Sequence, residues 1–377
     1  MKFPHRNLSI HDVHLGADRT PTQHITKNLY RVITVDRLQD IDILYLPGDW
    51  LDQTLLYEHD DIKDITLMEL HLLETCAKTG TAIRLLKGTP SHDGNQLVRF
   101  EERAKKLFPH VDFKYIDDML IEYIERFDIH VMYVPDEWAP REAIYLEARR
   151  LLDTHQLTQV DFIVGHNQFQ YQFPEHLRAR VPALHEEDWN DMVRYTAYFG
   201  HVHARSTYKK IEVAGSFDRL NHGEEKPKGY LVGEYLNEEE WTVTFYPNEN
   251  AAIYHTLEIK EGEIDTQSLY TTLGQQIDQL NNEIINVRLA YYQEDFPIGV
   301  FVKQMQVAYP HVRFTTPIYR GQNATPTRLV LPDEETYSVI ELNRDNLLRH
   351  AQSYMEECYV QDDRLLPLLS RYLTKLD

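Results

Sequence analysis

The chain has little cysteine, glycine or proline, and these scarcities exclude several classes of protein. Its 377 residues include 2 Cys, 15 Gly and 17 Pro. Cys76 and Cys358 cannot build a disulfide framework, and they lack the spacing of a thiolate metal site. The low glycine and proline content excludes collagen-like and low-complexity chains. We expect a folded protein of a reducing compartment, the cytoplasm.

Long apolar runs are also missing. No stretch reaches the roughly 18 consecutive apolar residues that indicate a membrane span. Polar residues interrupt the N-terminus almost at once, in Met1-Lys2-Phe3-Pro4-His5-Arg6, unlike a secretory signal. We therefore expect neither secretion nor a membrane span.

Basic residues are outnumbered by acidic ones. Lys and Arg total 39 against 60 Asp and Glu, which gives a formal net charge of −21. A broadly basic, nucleic-acid-binding surface is therefore excluded. Carboxylates can instead ligate metals, and the 19 histidines are the second unusual feature of the composition. The length predicts two or three domains, each with its own core.

Five short apolar runs each end in a cluster rich in Asp, His or Asn. Helical spacing lies between them over residues 62–77 and 141–152, so the order of elements predicts an α/β fold. Because loops at the carboxyl ends of strands converge in such sheets, we expect the clusters to meet. The clusters are His11-Asp12-Val13-His14-Leu15-Gly16, Pro47-Gly48-Asp49-Trp50-Leu51-Asp52, Gly88-Thr89-Pro90-Ser91-His92-Asp93, Gly165-His166-Asn167 and Gly200-His201-Val202-His203.

Carboxylate and imidazole donors without thiolate suit Mn²⁺, Zn²⁺ or Fe²⁺, whereas Mg²⁺ or Ca²⁺ alone favours oxygen ligands. The donors suffice for two ions about 3.5–4 Å apart that share a bridging carboxylate and polarise a phosphoryl oxygen. The pattern therefore predicts phosphoester hydrolysis. His11 should point to the opposite face of its strand from Asp12.

The five motifs, in this order, resemble those of the calcineurin-like metallophosphoesterases. A second stretch resembles the segment after the last His motif of SbcD-type DNA repair nucleases, including bacterial and phage recombination endonuclease subunits. It comprises Val213-Ala214-Gly215-Ser216-Phe217-Asp218-Arg219, Gly223-Glu224-Glu225 and Lys228-Gly229-Tyr230-Leu231-Val232. The resemblance covers residues 8–236 and implies a four-layer α/β/β/α sandwich over residues 1–238. It also implies a cytoplasmic location, in a bacterium or in the host of a phage.

The resemblance implies two Mn²⁺ ions, with Mg²⁺ or another divalent metal as alternatives. It implies His92 as the proton donor to the leaving oxygen, Asp93 as the residue that orients it and Asp52 as a supporting group behind the ligands. The ligands that it implies are Asp12, His14, Asp49 and His203 for one ion, with Asp49 bridging, and His166 and His201 for the other.

The third motif departs from the family pattern. The family has an Asn ligand before the His, whereas this chain has two extra residues and Ser91 at that position. We retain Ser91 as a ligand of the second ion, partly supported by Thr89. The alternative is that Ser91 only caps a turn after Pro90.

The motif clusters stop after residue 238. Residues 239–319 show the pattern of a small α/β domain, which the resemblance implies is a capping domain that positions DNA. Residues 320–336 are typical of a linker, and residues 337–377 hold two amphipathic helical segments that we expect to bind a partner. The resemblance implies an SMC-like ATPase of the SbcC type, in a heterotetramer that contains a nuclease homodimer.

The predicted function is a DNA nuclease subunit, with exonuclease activity on duplex DNA and endonuclease activity on single strands. Candidate phosphate contacts, with solvated surface as the alternative, are Arg205, Lys209, Lys210, Arg219, Lys226 and Lys228. Two other functions stay open. One is a phosphodiesterase for nucleotides or small molecules, and the other is a non-catalytic scaffold whose second metal site is impaired at the third motif.

Overall fold

The computed structural model describes residues 1–136, 139–178, 180–259, 266–294 and 296–320. The predicted helical segment 337–377 and all but the first residue of the predicted linker lie outside them. The predicted α/β class is confirmed, since the described residues form three sheets with parallel pairings and flanking helices. The strands are β1 (His5–Ser9), β2 (Ile43–Pro47), β3 (Ala82–Leu86), β4 (Phe113–Ile116), β5 (Leu120–Ile124), β6 (Ile129–Val134), β7 (Val160–His166), β8 (Val193–Gly200), β9 (Ser206–Tyr208), β10 (Ile211–Val213), β11 (Gly229–Tyr235), β12 (Trp241–Pro247), β13 (Ile253–Ile259), β14 (Ile285–Tyr291), β15 (Val312–Phe314) and β16 (Ile318–Tyr319).

Helices connect the strands, and their ends follow local sequence signals. Pro140 precedes the first turn of one helix, and Gly80 ends another with a φ of 74°. Within the described ranges, no helix combines the length and apolarity needed to cross a membrane. The helices are α1 (Thr22–Val32), α2 (Val35–Leu38), α3 (Asp61–Thr79), α4 (Val98–Leu107), α5 (Arg141–Thr154), α6 (Glu175–Arg178), α7 (Glu186–Met192), α8 (Thr266–Asp278) and α9 (Ile298–Ala308).

Two six-stranded sheets contain all five motif-bearing strands. The first has the order β12-β11-β1-β2-β3-β4, with β1 to β4 parallel and β11 antiparallel to β1. The second has the order β5-β6-β7-β8-β10-β9, with β6, β7 and β8 parallel. Strands β2 and β3 are buried along their whole length, as expected for central parallel strands.

The two sheets pack face to face through an apolar core. Tyr45 of the first sheet lies 5.9 Å from Tyr198 of the second, measured between ring centroids. Phe162 and Tyr133 belong to the same buried cluster. A second cluster buries α1 to α4 against the first sheet, and a third buries α5 and α7 against the second. Helices therefore cover the outer face of each sheet.

The third sheet has its own core and begins later in the chain than predicted. Strands β13, β14 and β15 are parallel, β16 pairs with β14, and α8 and α9 contribute to the apolar cluster. Strand β12 instead pairs with β11 along its full length. The boundary predicted at residue 239 therefore precedes a strand of the first sheet, and that sheet continues through Pro247.

Candidate metal centre

The loops after β1, β2, β3, β7 and β8 bring Asp and His side chains together. Ligand atoms within each of three groups lie within 4.8 Å of one another, so each group could hold a metal ion. We call the first two groups the first and second ligand sets. The groups are Asp12 with His14 and His203, Asp49 with His166 and His201, and His14 with Asp52 and His92.

Asp49 faces both ligand sets through one oxygen atom. Its Oδ2 lies 3.2 Å from His166 Nε2 and 3.6 Å from His14 Nε2. His14 Nε2 in turn lies 2.9 Å from His203 Nε2. Asp49 Oδ2 therefore lies close to a histidine of each ligand set.

Asp12 carries an unsatisfied buried oxygen. Its side chain is fully buried, and Oδ1 accepts a hydrogen bond of 2.7 Å from the His201 amide. Oδ2 has no hydrogen-bond partner among the described residues. An unpaired buried carboxylate oxygen is destabilising, and a bound cation would satisfy it. The site therefore fits a divalent metal both in its donor types and in this orphaned atom.

Protein acceptors hydrogen-bond the Nδ1 atoms of two histidines, and a carboxylate lies close to Nδ1 of a third, so that the Nε2 atoms face the cluster. His166 Nδ1 donates to the Pro47 carbonyl at 2.8 Å, and His203 Nδ1 donates to Glu224 at 3.1 Å. His14 Nδ1 lies 3.0 Å from Asp52 Oδ1. Such contacts fix the ring orientation of metal-binding histidines. Asp52 thus lies where a supporting group was predicted.

Glu224 is a supporting residue that the motif analysis did not assign. Lys228 is buried, and its Nζ lies 2.8 Å from Glu224 Oε2. Burial raises the pKa of Glu224, but His203 and Lys228 outweigh it and lower that pKa to about 2. Glu224 is therefore a permanent carboxylate behind His203. The signal in the sequence was the Gly223-Glu224-Glu225 segment, which we used only for the resemblance.

Asp49 and Asp12 favour a positive charge on the neighbouring His166. Burial lowers the pKa of His166, yet the charge and hydrogen bond of Asp49, with Asp12, raise it to about 10. Burial raises the pKa of Asp49, but His166 and His14 outweigh it and hold that pKa well below its ordinary value. The cluster is thus a site that stabilises a cation.

Four residues of the ligand sets have left-handed backbone conformations. Their φ angles are 46° at Asp12, 54° at His14, 49° at Asp49 and 95° at His201. Each such conformation costs about 1–3 kcal/mol, and such strain concentrates at functional sites. Gly48, with a φ of 82°, passes so close to His166 that a Cβ there would overlap the imidazole. These backbone conformations direct the side chains of the two ligand sets toward the cluster.

The third motif brings Thr89, not Ser91, to the cluster. The Thr89 amide donates to Asp49 Oδ1 at 2.6 Å, and its Oγ1 lies 3.2 Å from Asp49 Oδ2 and 3.3 Å from His166 Nε2. Ser91 is exposed and makes no hydrogen bond to the ligand sets within the described ranges. The assignment of Ser91 as a ligand is therefore corrected. With two extra residues in the motif, the Ser91 side chain is exposed and the Thr89 hydroxyl lies at the second ligand set.

Asp93 does not orient His92, so that prediction was wrong. Asp93 is fully buried and accepts hydrogen bonds from the amides of Gly88 at 2.7 Å, Asp49 at 3.1 Å and Leu51 at 2.9 Å. These three amides draw the carboxylate inward, away from the neighbouring His92. Asp93 therefore fastens the second motif loop to the third.

The Asp52 main-chain carbonyl orients His92 instead. His92 Nδ1 donates to that carbonyl, and its ring is half-buried, with its centroid 5.1 Å from that of His14. Nε2 of His92 makes no hydrogen bond to any described residue. It is thus available to a ligand beside the first set.

The candidate phosphate contacts mostly bind protein groups. Lys210 donates to the Val193 carbonyl at 2.7 Å, and Lys209 pairs with Glu187 at 2.6 Å. Arg219 donates to main-chain carbonyls, including that of Ala252 at 3.1 Å. Arg205 is exposed and lies over the Phe245 ring, 4.6 Å from its centroid. Lys210, Arg219 and the buried Lys228 therefore have contacts within the protein, and phosphate binding by these residues stays a prediction.

Comparisons with known proteins do not show a family for this chain. No family model matches, and no curated protein matches. Among the solved structures that match, one is 15% identical with a TM-score of 0.39, and the match covers 66% of this chain and 100% of that chain.

Proposed function

We propose that the chain is a metal-dependent phosphodiesterase of the calcineurin-like metallophosphoesterase superfamily, acting as an SbcD-type DNA nuclease subunit. The observation that carries this proposal is the position of Asp49 Oδ2, 3.2 Å from His166 Nε2 and 3.6 Å from His14 Nε2. One carboxylate oxygen between two Asp/His sets is the arrangement that two-metal phosphoester hydrolysis requires.

In this proposal the two ligand sets hold two Mn²⁺ ions, with Mg²⁺ or another divalent ion as the alternative. Asp12, His14 and His203 belong to one ion, His166 and His201 to the other, and Asp49 to both. When bound, the metals would polarise the phosphoryl group and supply a nucleophilic hydroxide. The buried Asp12 Oδ2, which lacks a hydrogen-bond partner among the described residues, supports this assignment.

His92 is the proposed proton donor. Its Nδ1 is held by the Asp52 carbonyl, so Nε2 points away from that loop beside His14. A proton placed there would neutralise the leaving oxygen as the P–O bond breaks. The carbonyl contact therefore fixes the orientation of the ring and leaves Nε2 as the atom that would carry the transferred proton.

The wider architecture supports the same assignment. Two face-packed sheets with helices on both outer faces match the four-layer sandwich expected of the superfamily. We assign the third sheet, from β13 onward, as the capping domain. DNA is the proposed substrate, and residues 337–377 are the proposed binding segment for an SMC-like ATPase of the SbcC type, within a heterotetramer.

Cleavage of labelled substrates tests this function. Purified protein is given end-labelled duplex DNA, end-labelled single-stranded DNA and a small nucleotide diester, each with Mn²⁺, Mg²⁺ or EDTA. We expect Mn²⁺-dependent cleavage of DNA that Asp49→Asn abolishes. Asp153→Asn, which changes an exposed aspartate on α5, should leave cleavage unchanged.

The other outcomes separate the alternatives. Cleavage of the nucleotide diester without cleavage of DNA would identify a small-molecule phosphodiesterase. No cleavage of any substrate with any metal, even after addition of the ATPase partner, would contradict an enzymatic function and favour the scaffold.

A further inference from the structure

A cationic pocket lies where the third sheet meets two loops of the first part of the chain. Its cavity volume is about 480 Å³. Arg19 comes from the loop after β1, and His222 comes from the loop between β10 and β11. The third-sheet part of the lining includes Tyr254, Asn286, Arg288 and Arg313. None of these residues belongs to either ligand set.

Three arginines carry the positive charge of the pocket. Arg19, Arg288 and Arg313 form no ion pair with any residue that the structure describes. Burial lowers the pKa of Arg288, and the charges of Arg320 and Arg19 lower it further. The pKa of His222 falls to about 4, through burial and the charges of Arg288 and Arg19. The charge of Glu225 opposes these effects at Arg288 only in part. In a chain of net charge −21, a group of arginines without ion pairs in the described ranges indicates an anionic ligand.

Two buried nitrogen atoms of the pocket residues also lack partners among the described residues. Arg288 Nε and His222 Nδ1 have no hydrogen-bond partner in the described part of the chain. The opposite ends of these side chains are held, because Arg288 Nη2 donates to Thr256 at 3.2 Å and His222 Nε2 lies 2.9 Å from Thr315 Oγ1. The two side chains are therefore fixed while part of their hydrogen-bonding capacity is unused.

The walls combine this charge with aromatic surface. Tyr254 is buried, its hydroxyl lies 2.8 Å from Thr20 Oγ1, and its ring meets that of His222 edge to face at 5.2 Å. Phe314 lines the same cavity and is half-buried. A cavity of this size holds more than a bare anion, and its aromatic surface suits a sugar or a base.

We propose that this pocket binds the phosphate group of a nucleotide, with Arg19, Arg288 and Arg313 as its cationic contacts. Guanidinium groups bind phosphate oxygens through paired hydrogen bonds, and several around one pocket match the charge of a phosphate better than that of a single carboxylate. The phosphate belongs either to a DNA strand or to a free mononucleotide. The site goes beyond the proposed hydrolysis, because binding here requires no metal.

Binding measured in EDTA tests the proposal apart from any cleavage. A labelled single-stranded oligodeoxynucleotide is titrated by fluorescence anisotropy, and deoxyadenosine monophosphate is titrated by calorimetry. The test variant is Arg19→Gln combined with Arg313→Gln, because both residues are exposed and their loss should spare the fold. Arg99→Gln is the matched control, since Arg99 is an exposed arginine of α4 without an ion pair in the described ranges.

We expect the double variant to weaken binding by roughly tenfold or more, and Arg99→Gln to leave it unchanged. For a strand, the salt dependence of log K should also become shallower by about 0.7 per lost phosphate contact. A selective loss of oligonucleotide binding identifies the strand as the source, and a loss of mononucleotide binding identifies the free nucleotide. Unchanged binding of both ligands in the double variant, or no binding of either to the parent protein at low salt, would overturn the proposal. Failure of DNA cleavage in the metal assay would leave these binding results intact.

Discussion

Thr89, rather than the predicted ligand Ser91, contacts the second ligand set. Its hydroxyl lies 3.2 Å from Asp49 Oδ2 and 3.3 Å from His166 Nε2, while Ser91 is exposed. The hydroxyl donates to Asp49 Oδ2 and so helps to orient the carboxylate of the second ligand set. The second ligand set therefore depends on Thr89.

Replacing Thr89 by Val should loosen the second set. Val keeps the shape of the side chain but removes the hydroxyl, and loss of such a supporting contact weakens metal affinity by about 10–100-fold. Calorimetric titration with Mn²⁺ measures the change. Ser91→Ala is the matched control and should have no effect. If Ser91→Ala weakened Mn²⁺ binding as much as Thr89→Val, the assignment of Thr89 would be wrong.

Replacing His92 by Ala should remove the proton donor and spare the metals. We expect the Mn²⁺-dependent cleavage rate to fall by about 10²–10⁴-fold, with the Mn²⁺ dissociation constants unchanged. His110→Ala, at an exposed histidine, is the control for loss of an imidazole. A His92→Ala protein that cleaved at the parent rate would exclude His92 from proton transfer.

The sequence predicted which side chains converge, but not how they are supported. Asp12, Asp49, His166 and His201 each follow a strand-like run, so a parallel sheet places them at one edge. The roles of Asp93 and Glu224 depended on contacts across loops. Asp93 faces three amides rather than its neighbour His92, and residue spacing has no signal for this. Ligation of metal by the convergent residues stays a prediction.

At the scale of elements, the ends of the strands are fastened to one another across the two sheets. His166 at the end of β7 donates to Pro47 at the end of β2, over 2.8 Å. The amide of His201, just after β8, donates to Asp12 in the loop after β1, over 2.7 Å. The two sheets are thus joined at the site by hydrogen bonds from the same residues that form the ligand sets.

Gly48→Ala should disrupt this junction. Its φ of 82° strains any other residue, and the added Cβ would also overlap the His166 ring and approach Gly88 Cα at 2.7 Å. Gly223→Ala is the matched control, because Gly223 has a φ of 96° but no atom within 4 Å of the added Cβ. The control should lose about 1–2 kcal/mol of unfolding free energy from strain alone.

The clash should cost Gly48→Ala roughly 1–3 kcal/mol more than the control, together with a loss of Mn²⁺ affinity. Urea unfolding measures the first quantity and calorimetry the second. Equal destabilisation by the two substitutions would mean that His166 has room to move, contrary to the packing described.

Element types were easier to predict than their membership of sheets. The alternation at residues 241–246 correctly indicated a strand, now β12, and the helical spacing at 141–152 lies within α5. Alternation does not reveal which edge a strand joins, so β12 was assigned to the following domain. All seven residues of β12 pair with β11 in an antiparallel register, so β12 belongs to the first sheet.

At the scale of the whole molecule, the net charge of −21 places acidic groups close together on a folded surface. Self-repulsion destabilises the compact state, and salt screens it. We therefore expect the free energy of unfolding to rise as added salt screens the repulsion.

The melting temperature should rise when NaCl is raised from about 10 mM to about 150 mM in EDTA, as the Debye length falls from about 30 Å to about 8 Å. Differential scanning calorimetry measures this, and KCl should act alike because the effect is screening. A melting temperature that fell with salt would show that the charged groups attract more than they repel.

The central claim is that Asp49 joins two metal ions in one hydrolytic centre. Calorimetric titration of the metal-free chain with Mn²⁺ tests it most directly. We predict two ions per chain for the parent protein and for Asp153→Asn, and a marked weakening of both in Asp49→Asn, because each ion loses the same carboxylate. A single Mn²⁺ per chain, or two ions whose affinities do not change in Asp49→Asn, would contradict the account.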